Sequence, residues 1–360
     1  MFWCVKMSFE ISKLIFQAFG DRRMLFCLFV ESLIRYSWKP GVMGNKVHLC
    51  SMTQKSFFSN TVFLAIVACL LWSSAFVGVK IGLKYHSPFQ FAGVRFMISG
   101  LLIMMYFNNR KSYWGQLKSS WKFIAKVAAL QTVLIYMLFY SGINLLPASV
   151  SAMIIGSSPL FISLVSHFTL HNDKMDWLKS ISIIFGVVGV ALITFSRSSL
   201  PVGQQISLLG VLLLLCNNLV SGFANVLVTK KPKELSPVVL SSASLFFGGV
   251  ALVFISIPIE GYGLKAVSVE YFVSLGWLSF LSAAAFAIWF TLLGRPGVKV
   301  SELNTWKFLI PVSGAILSWL IMPDEEPELV SIIGMLVIAS SLLVMNYSNR
   351  RNNRIAAGKR

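Results

Sequence analysis

The chain has 360 residues, of which 56% are hydrophobic and only 12% charged. Soluble domains are about 45–50% apolar and about 25% charged, so a water-facing surface cannot be covered here; a two-domain soluble enzyme and a disordered chain are both excluded. The net charge of +18 rests on 31 Lys and Arg that cluster between apolar runs, where phospholipid head groups lie, and no basic stripe marks a nucleic-acid partner.

In chain order, residues 1–58 form an N-terminal extension. Its best apolar stretch, Met24 to Ile34, has eleven residues and contains Glu31. That is too short to span a bilayer, and no small-residue cleavage site follows a signal-peptide core. One reading is an amphipathic surface helix. The preferred one is that the segment is dispensable or not made, with translation beginning at Met52.

From residue 60 onward ten runs reach the roughly 20 apolar residues that cross about 30 Å of hydrocarbon. They are 60–82, 88–107, 121–143, 148–169, 177–196, 206–228, 236–258, 270–292, 302–322 and 329–347. They are apolar all round instead of alternating, which predicts helices and not barrel strands. Tight joints, Asn144-Leu145-Leu146-Pro147 and Lys230 to Leu235, suit antiparallel neighbours. Orientation follows from the loop cations. One side carries Lys39, Lys46, Lys55, Arg110, Lys111, Lys118, Lys122, Lys126, Lys174, Lys179, Lys230, Lys231, Lys233, Arg295 and Lys299, with Arg350, Arg351, Arg354, Lys359 and Arg360 in the tail. The other side has Lys80, Lys84, Arg197 and Lys265, with the acidic turn Asp324-Glu325-Glu326-Pro327-Glu328. Twenty against four predicts a multi-pass protein of the cytoplasmic membrane with both termini in the cytoplasm, as an even number of spans requires.

The runs repeat. Ser87-Pro88 and Ser236-Pro237 stand 149 apart, Pro159 and Pro311 stand 152 apart, and Ser182-Ile183-Ile184 and Ser331-Ile332-Ile333 again 149. A duplication of five spans follows, in residues 59–197 and 205–347, with a basic tail at 348–360. Two copies of an odd-span unit cross the membrane in opposite senses. The predicted fold is therefore an all-α membrane protein of ten transmembrane helices in two inverted five-helix repeats, an arrangement suited to alternating access.

Leu71-Trp72-Ser73-Ser74-Ala75-Phe76, then Ser87-Pro88 and Arg95-Phe96, resembles the opening of the EamA domain of the drug/metabolite transporter superfamily. Ala148 to Leu170 with Ser158-Pro159-Leu160, and Trp306 to Met322 with Ile310-Pro311-Val312, are similar to that family's fourth and ninth helices. The resemblance covers roughly residues 60–347. It implies a ten-helix bundle with a central substrate cavity, in a family whose cargoes include amino acids, sugars, nucleotide sugars and drugs. The chain departs from the family at His171-Asn172-Asp173, where a Gly-Glu pair is usual, and at Cys216-Asn217-Asn218. Glu326-Pro327 keeps the acidic turn of the second repeat.

Pro159 and Pro311 remove backbone donors inside their spans. Freed carbonyls survive in a bilayer only against protein or a watery cavity, so the pair points to a central site or, alternatively, to packing kinks. Lys80, Arg95 and Lys307 stand in apolar runs, while all 13 Asp and Glu fall outside the spans or at their ends. Arg95, with Lys307, is expected to face the cavity and attract an anionic group such as a carboxylate; a tether to backbone carbonyls is the alternative. Without a mid-membrane carboxylate, exchange or facilitated diffusion is favoured over proton coupling, although Glu302 near a span end remains titratable. Further candidates for the substrate-binding wall are Trp72, Ser73, Tyr140, Ser157, Asn217, Asn218, Asn225 and Trp289, for which interhelical hydrogen bonding is the competing role.

No catalytic residue, cofactor or metal is expected. His167 and His171 share i, i+4 spacing without a third ligand, the five cysteines are scattered, and neither a Walker sequence nor a nucleophile elbow occurs. The expected partners are a small-molecule substrate and the lipid bilayer, with no nucleic acid and with room for a homodimer. The expected function is export of a small organic metabolite, an amino acid, related metabolite or drug-like compound. An intramembrane enzyme or lipid-handling protein is the alternative.

Overall fold

The computed structural model describes residues 60–105, 107, 109–170, 175–195, 207–261, 268–322 and 324–358, with backbone alone at 194–195, 350 and 352–358. The N-terminal extension with its Met24 to Ile34 stretch and Met52 lies outside these residues, as do Lys39, Lys46, Lys55, His171, Asn172, Asp173, Lys174, Arg197, Lys265, Lys359 and Arg360. The chain divides into two compact units, Met1–Leu64 and Ala65–Arg360. The described part of the first is Asn60–Leu64, and the packing below belongs to the second.

Among the described residues all regular structure is helical. The helices are α1 (Thr61–Gly82), α2 (Pro88–Met105), α3 (Arg110–Ser119), α4 (Trp121–Asn144), α5 (Ala148–Thr169), α6 (Trp177–Phe195), α7 (Leu208–Thr229), α8 (Pro237–Glu260), α9 (Val269–Leu293), α10 (300–321) and α11 (Leu329–Gly358). Helix therefore covers the described residues of the ten apolar runs except for single positions, mostly at run ends, such as 107 and 322. Eight of these helices, α1, α2, α4, α5, α7, α8, α9 and the Leu329–Asn349 part of α11, are long and apolar enough to cross a membrane. Of the other two, α6 is apolar over Trp177–Ile193, the part whose side chains are described. Helix α10 is divided into Val300–Asn304, a 3-10 turn at Thr305–Phe308, and Leu309–Ile321.

Helix starts follow local chemistry. Pro237 opens α8 behind Ser236, whose hydroxyl accepts from the Val238 amide at 3.3 Å, and Ser207 caps α7 through the Gly210 amide, also at 3.3 Å. Helix α11 passes the expected end of the last span at residue 347 and continues to Gly358, because no proline or glycine interrupts the intervening polar run.

Several interhelical crossings join the two predicted repeats, and three of them pair counterparts: α2 with α8, α5 with α10, and α6 with α11. Glycines let the backbones approach. A Cβ on Gly93 would stand 2.8 Å from the Gly249 carbonyl oxygen, and one on Gly100 would stand 2.7 Å from that of Ser242. These contacts are reciprocal: a shift of 149 residues turns Gly93 into Ser242 and Gly100 into Gly249. In the α6–α11 crossing, Gly189 and Gly334 each face the other's carbonyl at 2.9 Å. Helix α5 is the most enclosed span, 83% buried, against 39% for Leu329–Asn349. Large apolar side chains such as Leu70, Phe185, Leu212, Phe247, Phe254 and Leu343 remain exposed, the surface a bilayer requires.

Two carboxylates tie the halves together at helix N-termini, where unpaired amides and the helix dipole favour negative charge. Glu260, at the end of α8, accepts from the Phe89 amide at 2.9 Å and the Gln90 amide at 3.2 Å. Glu325 accepts from the amides of Ala148 at 2.6 Å and Ser149 at 2.9 Å and from the Ser318 hydroxyl at 2.8 Å. The acidic turn is thus not wholly a solvated loop. Glu325 is buried beneath it, while its neighbours Asp324 and Glu326 are exposed.

Candidate functional site

A cavity of about 750 Å³, counted out to its mouth, lies among α1, α2, α4, α5, α7, α9 and α10. The part open to the centre of a water molecule is about 100 Å³, room for several waters or one small organic molecule.

Arg95 enters it from α2. At about 100° per residue it stands some 200° around the helix from Gly93, so the face opposite the α8 contact carries the guanidinium inward. The side chain is only 1% exposed. Its Nη1 donates to the Tyr140 hydroxyl at 2.9 Å, and its Cζ lies 4.5 Å from the Phe96 ring centre and 5.6 Å from that of Tyr136. Its Nε is buried with no hydrogen-bond partner among the described residues. Tyr136 and Tyr140 share one face of α4 by their i, i+4 spacing. They follow a π-helical stretch, Ala128–Leu134, whose wider turn contributes Gln131 to the wall.

Lys307 stands in the 3-10 turn of α10. Its Nζ lies 5.0 Å from the Trp289 ring centre and 5.4 Å from that of Trp72, a cation between two aromatic rings. Trp72 and Trp289 meet edge to face at 5.0 Å, and Phe286 adds a third ring 5.7 Å from Trp72. The Trp289 indole donates to Asn225 Oδ1 at 3.0 Å, which fixes the plane of this wall.

Helix α7 supplies the polar side. Asn218, Ser221 and Asn225 recur at helical spacing, with Asn217 beside them, and all four line the cavity. Asn218 Nδ2 donates to the Ile154 carbonyl at 2.8 Å and to Ser157 Oγ at 3.2 Å. That bond serves the break in α5, between Ala148–Gly156 and Ser158–Thr169. The carbonyl oxygens of Asn217 and Asn218 are buried without a donor among the described residues.

Of the twelve candidate binding residues, Trp72, Arg95, Asn217, Asn218, Asn225, Trp289 and Lys307 line the cavity. Five stand outside its lining. Ser73 donates to the Leu70 carbonyl, Tyr140 holds Arg95, and Ser157 donates to Ile154. Pro159 sits second in the second segment of α5 and Pro311 third in the last segment of α10, so the helix breaks precede the prolines. Pro311 packs against Gly156, whose Cβ would come within 2.3 Å of the ring. The wall also contains Tyr136, Phe286, Gln131, Ser158 and Ser221, none of which the sequence singled out. Tyr136 alone carried a signal, its i, i+4 relation to Tyr140. His167 accepts from the Met175 amide at 2.9 Å, and His171, at i+4 from it, lies outside the described residues.

The loop that joins α1 to α2 carries a second polar group. The His86 ring contacts the Tyr271 hydroxyl at 2.9 Å through Nδ1 and Gln90 Oε1 at 3.2 Å through Nε2. An Nε2–H tautomer satisfies both. Burial lowers the imidazole pKa below its ordinary value, against the opposing pull of Gln90 and Glu260.

The profile of the EamA-like transporter family matches residues 59–195 and again 208–347. An uncharacterized transporter, YvbV, of Bacillus subtilis (strain 168) is 28% identical over 83% of this chain and 96% of its own length. A second from that organism, YoaV, is 26% identical over 81% and 98%. An Escherichia coli (strain K12) protein named "Probable amino-acid metabolite efflux pump" is 22% identical over 82% and 97%. A solved crystal structure superposes with a TM-score of 0.62 at 17% identity, over 81% of this chain and 98% of that one, a likeness of fold alone.

Proposed function

Because the chain belongs to the EamA-like transporter family and is a multi-pass membrane transporter, we propose that it exports a small organic metabolite across the cytoplasmic membrane by alternating access. In this reading ten helices form two inverted five-helix repeats, and both termini lie in the cytoplasm. The broken α10 and α6 then complete the count, as the ninth and fifth spans. The reciprocal α2–α8 contacts and the double family match support the repeat. The E. coli relative's printed name supports an amino-acid metabolite as cargo and efflux as the direction.

The observation that carries the proposal is the shared cavity. Trp72, Arg95 and Tyr136 come from the first repeat, Asn217, Trp289 and Lys307 from the second, so a rocking of one repeat against the other remakes the site from both sides. Binding there needs no covalent chemistry, and the protein acts as a carrier rather than an enzyme.

The test is metabolite profiling of cells with and without the gene, followed by flux of the accumulating compound in proteoliposomes. The proposal expects that compound to leave cells only when the protein is present. Turnover of a lipid or soluble substrate in the same vesicles, with no flux, would establish the enzymatic alternative.

A further inference from the structure

The cavity carries two cations and no described acid. Arg95 and Lys307 are 1% and 7% exposed, and none of the described lining residues is Asp or Glu. What holds them is aromatic. Lys307 Nζ faces the rings of Trp72 and Trp289, and among the described residues it has no hydrogen bond or ion pair. Arg95 rests on Phe96 and Tyr136, with one nitrogen bonded to Tyr140 and Nε bonded to nothing described. Ring faces offset a cation's desolvation only partly, and a buried charge without a counter-ion is costly. Two such charges on one small cavity leave a deficit that a ligand has to fill.

From this we propose, resting on the carrier reading above, that the cargo is an aromatic organic anion: a carboxylate held by Arg95 and Lys307, with a flat apolar body against Trp72, Phe286 and Trp289. The unpartnered Oδ1 atoms of Asn217 and Asn218 accept from a hydroxyl or ring N–H on the same molecule. An ammonium group is disfavoured, because it would enter a cavity with two fixed positive charges and no carboxylate to meet it. The class is therefore set apart from amines and from zwitterionic amino acids. A carboxylate also replaces water around both cations, so their desolvation opposes binding less than it would at a surface.

Three probes on one skeleton separate the charges: 3-(4-hydroxyphenyl)propanoate, tyrosine and tyramine. Each is tested as a radiolabelled ligand on the purified full chain and as a counterflow substrate in proteoliposomes. The propanoate is expected to bind about tenfold or more tightly than tyrosine, whose ammonium meets two cations and no carboxylate, with tyramine weakest because it also lacks the charge-assisted hydrogen bonds of a carboxylate. Lys307→Gln is expected to remove that preference and Lys307→Arg to keep most of it. Arg95→Gln is a second variant whose yield and elution are checked in parallel. Tyrosine or tyramine binding as tightly as the propanoate overturns the inference, as does failure of all three to bind. Binding of the propanoate without counterflow upholds the ligand class and overturns transport. Counterflow that prefers tyrosine upholds transport and overturns the ligand class.

Discussion

Glu325 and His86 show how much a single side chain can hold at a helix end. The Glu325 carboxylate meets the first two amides of α5 and the Ser318 hydroxyl while almost wholly buried. Glu325→Ala leaves those amides unpaired and removes a charge from a helix N-terminus, which costs about 2–4 kcal/mol. Glu325→Gln keeps one acceptor and costs about half as much. Thermal unfolding of the purified protein in detergent measures both, and equal melting of the alanine variant and the parent would refute this role. His86 gives a pH dependence. Its folded pKa lies below the ordinary value of about 6.5, so the unfolded chain takes up the proton first. The stability linked to this group is full above about pH 6.5 and is lost as the pH falls below it. His86→Gln is expected to flatten that acid limb in melting curves taken between about pH 8 and pH 5.

At the scale of helices, the close crossings depend on absent side chains. Gly249→Val would drive its Cβ to within 2.7 Å of the Gly93 carbonyl oxygen and the Met97 amide. Neither is a flexible side-chain end, so α2 and α8 must separate, at a cost of about 1–3 kcal/mol or more. Gly276→Ala in α9 meets nothing within 4 Å and is expected to leave melting and expression unchanged. Matching losses from both variants would show that glycine content, not the crossing, governs stability. Helix positions were legible in the sequence because each apolar run is long and uniform. Their interruptions were not. The π-helical stretch of α4 has no proline or glycine to announce it, and the 3-10 turn in α10 falls before Pro311 instead of at it. In the site, Arg95 and Lys307 stood out as charges in apolar runs. Tyr136 and Phe286 did not, since a ring on a membrane helix looks the same whether it faces lipid, packing or a cavity. Glu325 hid among three acidic neighbours in its turn, where only three-dimensional placement distinguishes a buried carboxylate from exposed ones.

For the whole molecule, the loop cations predict that α3 and the acidic turn emerge on opposite sides of the bilayer. Lys118 lies at the end of α3, and Lys84 and Glu326 lie in the α1–α2 and α10–α11 joints; all three are exposed. In intact cells a membrane-impermeant maleimide is expected to label Lys84→Cys and Glu326→Cys but to reach Lys118→Cys only after permeabilisation. Labelling of all three from outside would overturn the inverted arrangement.

The reciprocal contacts between α2 and α8 carry a consequence for movement. Gly93 meets Gly249 as Gly100 meets Ser242, so tilting the crossing one way exchanges the duties of the two pairs and tilting it back restores them. In the proposed alternating-access cycle such a pivot would by itself prefer neither end of its swing. In the proposed carrier, the weights that would tip it are the features the halves do not share: Glu325 beneath its turn, His86 between Tyr271 and Gln90, and the charge that a passenger would bring to Arg95 and Lys307.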